Sequence, residues 1–145
     1  MSTDDSENSD SQSVRQRALI LVVERNPIVQ RLERYFLEQA GYSVEFSSDG
    51  ETALERIKEL KPTIVVTEIL VPKLDGLSLC RIIKSDPSVR HILVLVFSHL
   101  HAEDRALEAG ADSFLVKPLT EELLIDTVER LLKIVQTKSA VNDND

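Results

Sequence analysis

Several polar residues in this chain follow directly on aliphatic runs. Glu24 and Arg25 follow ALILVV at residues 18–23, and Glu68 follows the run that ends at Thr67. Ser98 follows ILVLVF at residues 92–97, and Lys117 follows SFLV at residues 113–116. Gathered in one place, these residues offer two carboxylates, two cations and a hydroxyl. Carboxylates can hold a hard divalent cation or act as oxygen nucleophiles, while ammonium and hydroxyl groups suit phosphoryl oxygens. A single charge at the end of an apolar run is more commonly just solvated. A whole set at one edge of one sheet calls for a chemical reading.

The intervening segments determine whether these residues meet. Residues 18–23 and 92–97 are continuous apolar runs of strand length, as expected for strands buried on both faces. Residues 42–46, 64–67 and 113–116 are shorter strand candidates. Helical spacing lies between them. Pro27 suits a first helical turn, and Ile28, Leu32, Tyr35, Phe36 and Ala40 make an apolar stripe closed by Gly41. Ser48 and Glu51 have the spacing of a capping box, ahead of Ala53, Leu54, Ile57 and Leu60. Residues 77–84, a short segment at 102–109, and residues 120–136 complete the helices. The last has Glu121 and Glu122 in its first turn and a buried stripe of Leu124, Val128, Leu131 and Val135.

Five strands alternating with five helices predict an α/β fold: a doubly wound, flavodoxin-like parallel sheet of order 2-1-3-4-5. In that topology ligands bind at the carboxyl ends of the strands, where the polar residues lie.

Composition sets the outer limits. The chain has 145 residues, 42% of them hydrophobic, with no Trp and one Cys, which suits a single aliphatic-cored domain without an internal disulfide. There are 25 acids against 17 bases, a formal charge of -8, which argues against a nucleic-acid partner. No apolar run approaches the roughly 18 residues of a membrane span, and residues 1–16 lack a signal-peptide core. A cytoplasmic domain without membrane partners is expected. Residues 1–17 and 139–145 read as polar, disordered tails around a domain at 18–138. Half of the excess negative charge lies in those two ends.

Taken in order, VVER at 22–25, EILVPKLDG at 68–76, Ser98, and GADSFLVKP at 110–118 resemble the receiver domain of two-component response regulators. The resemblance spans residues 18–136. It implies a module of phosphorelay signal transduction that works through protein–protein contact and is not an ordinary enzyme. In the family, an aspartate ending the third strand accepts a phosphoryl group from a histidine kinase, and an acidic pair after the first strand holds Mg²⁺. By position, Glu68 stands for the acceptor and Glu24 with Arg25 for the acidic pair. Ser98 and Lys117 stand for the phosphoryl-binding residues, Phe114 for the aromatic switch, and Pro118 for a cis-proline. The implied partners are a sensor kinase, another regulator or an output protein. A homodimer through the fourth helix, fifth strand and fifth helix is also implied.

Two positions depart from the family pattern. Arg25 replaces an acid, so its guanidinium removes a Mg²⁺ ligand and adds a permanent positive charge. At 4 Å and an effective dielectric near 20, two unit charges interact by roughly 4 kcal/mol. Glu68 carries its carboxylate one methylene further out than aspartate. A misplacement of about 1 Å can cost on the order of 100-fold in rate. The expectation is a pseudo-receiver with no metal or other cofactor, in which an ionised Glu68 is held by Arg25, Lys117 or both. Two alternatives stand beside it. One is a receiver still phosphorylated by a histidine kinase through an unusual route. The other is a flavodoxin-like small-molecule binder, although Glu24-Arg25-Asn26-Pro27 is not a phosphate-cradling loop.

The remaining candidates have plainer readings. His99 and His101 form one pair without a third metal ligand. Cys80 reads as a buried, inert thiol, and Asp75-Gly76 as helix-entry chemistry. No dinucleotide-binding glycine motif, P-loop or nucleophile elbow is present. The segment 98–110 is shorter than the resemblance implies, which leaves the fourth helix barely two turns long.

Overall fold

The computed structural model describes residues 18–143, with side chains described to residue 135. The expected tail at residues 1–17 lies outside the described residues. In chain order the elements are β1 (Leu19–Val23), α1 (Pro27–Gln39), β2 (Ser43–Ser47), α2 (Gly50–Leu60) and β3 (Ile64–Thr67). They continue with α3 (Gly76–Ser85), β4 (Leu93–Ser98), α4 (Glu103–Glu108), β5 (Ser113–Val116) and α5 (Glu121–Asp143). All strand pairs are parallel, and the sheet order is β2-β1-β3-β4-β5. The expected doubly wound fold is therefore present.

Alternating strand residues feed two cores, because successive side chains leave opposite faces of a strand. Leu21, Val23, Val65, Val94 and Val96 pack with Ala53 and Ile57 of α2, Leu79 and Ile83 of α3, and Ala106 of α4. Ile20, Val22, Ile64, Val66, Leu95 and Phe97 pack with Leu37 of α1 and with Leu124, Val128 and Leu131 of α5. Thus α2, α3 and α4 cover one face and α1 and α5 the other. The central strands β1, β3 and β4 are covered on both sides, which is why they read as unbroken aliphatic runs.

Three local expectations need correction. The inward face of α1 is not the stripe Ile28, Leu32, Tyr35, Phe36 and Ala40. Ile28, Leu32 and Tyr35 are exposed, whereas Glu33 and Leu37 are buried. The helix is rotated so that Val29, Glu33, Phe36, Leu37 and Ala40 face the sheet, and its most apolar row lies on the flank. Helix α2 starts one residue later than a Ser48–Glu51 capping box requires. Asp49 is the N-cap, and its Oδ1 accepts from Thr52 N at 2.8 Å. A Cβ on Gly50 would lie 1.9 Å from the Leu74 carbonyl oxygen, so that close approach pins the helix start. Helix α5 runs on to Asp143, so most of the stretch 139–145 continues the helix instead of forming a tail. The short α4 is six residues long, in line with the clipped segment in the sequence.

Candidate functional site

The site is built where β1, β3, β4 and β5 end, and backbone contacts there tie β1 to β2, β3 to β1 and β5 to β4. Glu24 N donates to Ser47 O, Glu68 N to Val23 O, and Lys117 N to Ser98 O. Parallel pairing therefore carries Glu24, Glu68, Ser98 and Lys117 to one edge, although 93 positions separate Lys117 from Glu24 in sequence.

Lys117 is the centre of the arrangement. Its Nζ lies 2.5 Å from Glu24 Oε1 and 2.8 Å from Glu68 Oε2, with 14% of its side chain exposed. It also sits 5.5 Å from the centroid of the Phe97 ring, whose π face favours a cation. Burial works against the charged lysine, but its hydrogen bond to Glu24 and its pairing with Glu68 prevail and raise its pKa above the ordinary value. The Lys117–Pro118 peptide is cis.

Glu68 is buried and well provided with donors. Its Oε1 accepts from Ser98 Oγ, from Ile69 N at 2.8 Å and from Leu70 N at 3.3 Å. Burial pushes its pKa up, yet Lys117 and Ser98 outweigh burial and hold it below the usual carboxylate range. The approach of Lys117 to Oε2 is an ion contact more than an aligned hydrogen bond, so that oxygen keeps an open acceptor position. His99, an exposed residue, brings Nδ1 to 3.6 Å from the same oxygen. Behind the loop, a Cβ on Gly76 would lie 2.1 Å from Glu68 O, so only glycine allows α3 to begin this close to Glu68. Asp75 caps that helix by accepting from Ser78 N at 2.9 Å.

Glu24 is likewise enclosed. Its Oε2 accepts from Asn26 N at 3.0 Å, and its backbone carbonyl accepts from Gln30 Nε2. Asn26 in turn caps α1, its Oδ1 accepting from Ile28 N at 2.9 Å. Arg25 does not join the site. It is exposed and has no ion-pair partner among the described residues, so the expected Arg25–Glu68 pair is absent and Lys117 supplies the close counter-charge.

These oxygens fit a divalent cation poorly. Mg²⁺ needs near-octahedral oxygen coordination. Three of the four carboxylate oxygens of Glu24 and Glu68 already accept hydrogen bonds, Arg25 offers none, and an ammonium lies between the two acids. Among the described residues no group of three His, Cys, Asp or Glu side chains is arranged to hold a metal ion.

Phe114 is half-buried and lines a cavity of about 440 Å³ with His101, Glu103, Arg105 and Val116, on the α4 side of β5. His101 itself is exposed. Cys80 is buried, and its thiol is pushed up to about 11 by that burial.

One residue escaped the sequence reading. Glu33 is 1% exposed, and its Oε1 has no hydrogen-bond partner. Burial is the largest cause pushing its pKa up to about 8; the charge of Glu24 adds to this, Lys117 opposes it, and Glu68 adds a little more. A hydrophobic-period search passes over a charged position. The available signal was its spacing, four residues before Leu37 and three after Gln30.

Comparison with known proteins agrees with this geometry. The family model described as response regulator receiver domain matches residues 20–129. A gliding motility regulatory protein of Myxococcus xanthus is 38% identical over 119 residues, covering 79% of this chain and 15% of that protein. Response regulator MprA of Mycolicibacterium vanbaalenii is 40% identical over 115 residues, 79% of this chain and 50% of that protein. The chain thus spans half or less of the length of these two relatives. Among solved structures, the signal receiver domain of a histidine kinase from Syntrophus aciditrophicus is similar, with a TM-score of 0.76 and 34% identity, covering 81% of this chain and 92% of that one. The receiver domain of sensor histidine kinase PA1611 from Pseudomonas aeruginosa, solved with magnesium in its active-site cleft, has a TM-score of 0.74 and 25% identity. That match covers 80% of this chain and 98% of that one.

Proposed function

This chain belongs to the response regulator receiver domain family, and we propose that within it the chain signals without being phosphorylated. The observation that carries this reading is Lys117, whose ammonium spans Glu24 and Glu68 at 2.5 and 2.8 Å. A receiver transfers a phosphoryl group by presenting an oxygen nucleophile next to a metal that neutralises the equatorial oxygens. Here a lysine occupies the space between the acids, and the second acidic position is an exposed arginine. Glu68 is ionised and oriented by Ser98, Ile69 N and Leu70 N. It forms a permanent negative centre at the acceptor position, in place of one that is made and removed.

On this reading the domain uses no Mg²⁺ and no other cofactor, and it is not an enzyme. Its output is contact with other signalling proteins: a sensor kinase, another regulator or an output protein. A second copy docked on α4, β5 and α5 is a further partner, and Leu107 on α4 is exposed there.

The test is incubation with acetyl phosphate and Mg²⁺ followed by intact-protein mass measurement. No mass gain is expected for the native chain. A stoichiometric phosphoryl adduct on Glu68 would sink the proposal and favour the unusual-route receiver. The double variant Arg25→Asp, Glu68→Asp is expected to gain Mg²⁺-dependent labelling, because it restores the missing acid at position 25 and the shorter nucleophile at position 68.

A further inference from the structure

The face of α1 turned toward the site carries Gln30, Glu33 and Leu37. Gln30 reaches the Glu24 carbonyl with its Nε2, so this face abuts the end of β1. Glu33 lies one turn further along the same face, 1% exposed, with one carboxyl oxygen that accepts nothing. Carboxyl groups in that situation are rare unless paired or neutral.

The charges around Glu33 come from three strand ends: Glu24 after β1, Glu68 after β3 and Lys117 after β5. On the same face of the sheet, the buried residues of α5 and β4 include Leu124, Thr127, Val128 and Phe97, none of them charged. On α1 itself, Arg31 is exposed, and Arg34 pairs with Glu38 and lies over the Phe46 ring. Two carboxylates and one ammonium already leave the enclosed cluster one negative charge in excess. A second uncompensated negative charge would have no counter-ion and little water.

We propose that Glu33 is a proton-carrying positioning residue of the Glu24–Lys117–Glu68 bridge, making the receiver site sensitive to pH through the packing of α1. Protonated, Glu33 is neutral and leaves Lys117 to Glu24 and Glu68. Ionised, it becomes a third carboxylate competing for the same ammonium. Lys117 is then drawn toward α1, and Glu68 loses its counter-charge. The proton passes to solvent, so nothing else is consumed. The balance follows the raised pKa of Glu33, about 8, which burial chiefly sets. The inference rests on the ion bridge used above but not on whether Glu68 accepts phosphate, so the labelling experiment and the one below fail independently.

The experiment is an NMR titration of the full chain from about pH 6 to about pH 10. It follows the Glu33 side-chain carboxyl carbon and the amides of Ile69 and Leu70, which donate to Glu68. An inflection near 8 is expected in all three signals, and its loss from both amides is expected in Glu33→Gln. Should that variant fold poorly, Glu33→Met fills the same space without a polar group and is expected to give the same flat amide profile. A Glu33 carboxyl that titrates below about 6, or amide inflections near 8 that persist in the variants, would overturn the proposal.

Discussion

Replacing Lys117 by methionine tests the site most directly, because it keeps the side-chain volume and removes only the charge. Nζ lies 2.5 and 2.8 Å from two carboxylates. At an effective dielectric near 20, each contact is worth roughly 6 kcal/mol before the cost of taking the ions out of water. That cost is several kcal/mol per ion, so the gross attraction far exceeds the net contribution of the lysine. Breaking a buried pair from one side typically costs about 3–5 kcal/mol, because an uncompensated charge is left behind. Here two are left. A loss of about 3–5 kcal/mol is therefore expected for Lys117→Met near neutral pH, a large share of a domain stability of about 5–15 kcal/mol.

The pH dependence of that loss identifies its cause. In the native chain Glu68 is held below its ordinary pKa, so its contribution is present above the unfolded value and disappears as pH falls through the folded one. Without the ammonium, burial dominates and the Glu68 pKa rises above the unfolded value. The variant then recovers stability as the pH is lowered and Glu68 takes up a proton. Urea unfolding followed by circular dichroism at about pH 7.5 and about pH 5 is expected to show the gap between variant and native chain narrowing at the lower pH. Adding Glu68→Gln to Lys117→Met is expected to restore part of the loss near neutral pH. A Lys117→Met chain within about 1 kcal/mol of the native one at both pH values would refute the reasoning.

Two further outcomes are expected. Gly76→Ala places a methyl group 2.1 Å from the Glu68 carbonyl oxygen, a backbone atom that cannot easily give way. It is expected to lower stability by about 1–3 kcal/mol in chemical unfolding and to shift the Ile69 and Leu70 amide signals. Cys80 is buried, with its thiol pushed up to about 11, so iodoacetamide near pH 8 is expected to leave the folded chain unmodified and to label it only in denaturant.

Much of this protein was legible from residue order alone. A strand covered on both faces must be apolar at every position, so β1 and β4 announce themselves as unbroken runs. Parallel topology then places the residues after those runs at one edge. Glu24, Glu68, Ser98 and Lys117 could therefore be named together without coordinates. Pro27 at the start of α1 and Asp75 as the cap of α3 are local signals and were equally readable.

The tertiary structure decided what no local pattern encodes. Periodicity detects the most apolar row of a helix, but the rotation of α1 is set by what it touches. Asn26 and Gln30 anchor it to Glu24, and the inward face carries the charged Glu33 while Ile28, Leu32 and Tyr35 face outward. The choice of counter-ion for Glu68 is likewise a matter of three-dimensional reach. Arg25 is nearer to Glu24 in sequence, yet it points to solvent, while Lys117 from the far end of the domain spans both acids. Sequence order determines which groups arrive at the edge of the sheet. Packing determines which of them share a charge, because electrostatic pairing depends on distance and burial, and neither is a property of neighbouring residues in the chain.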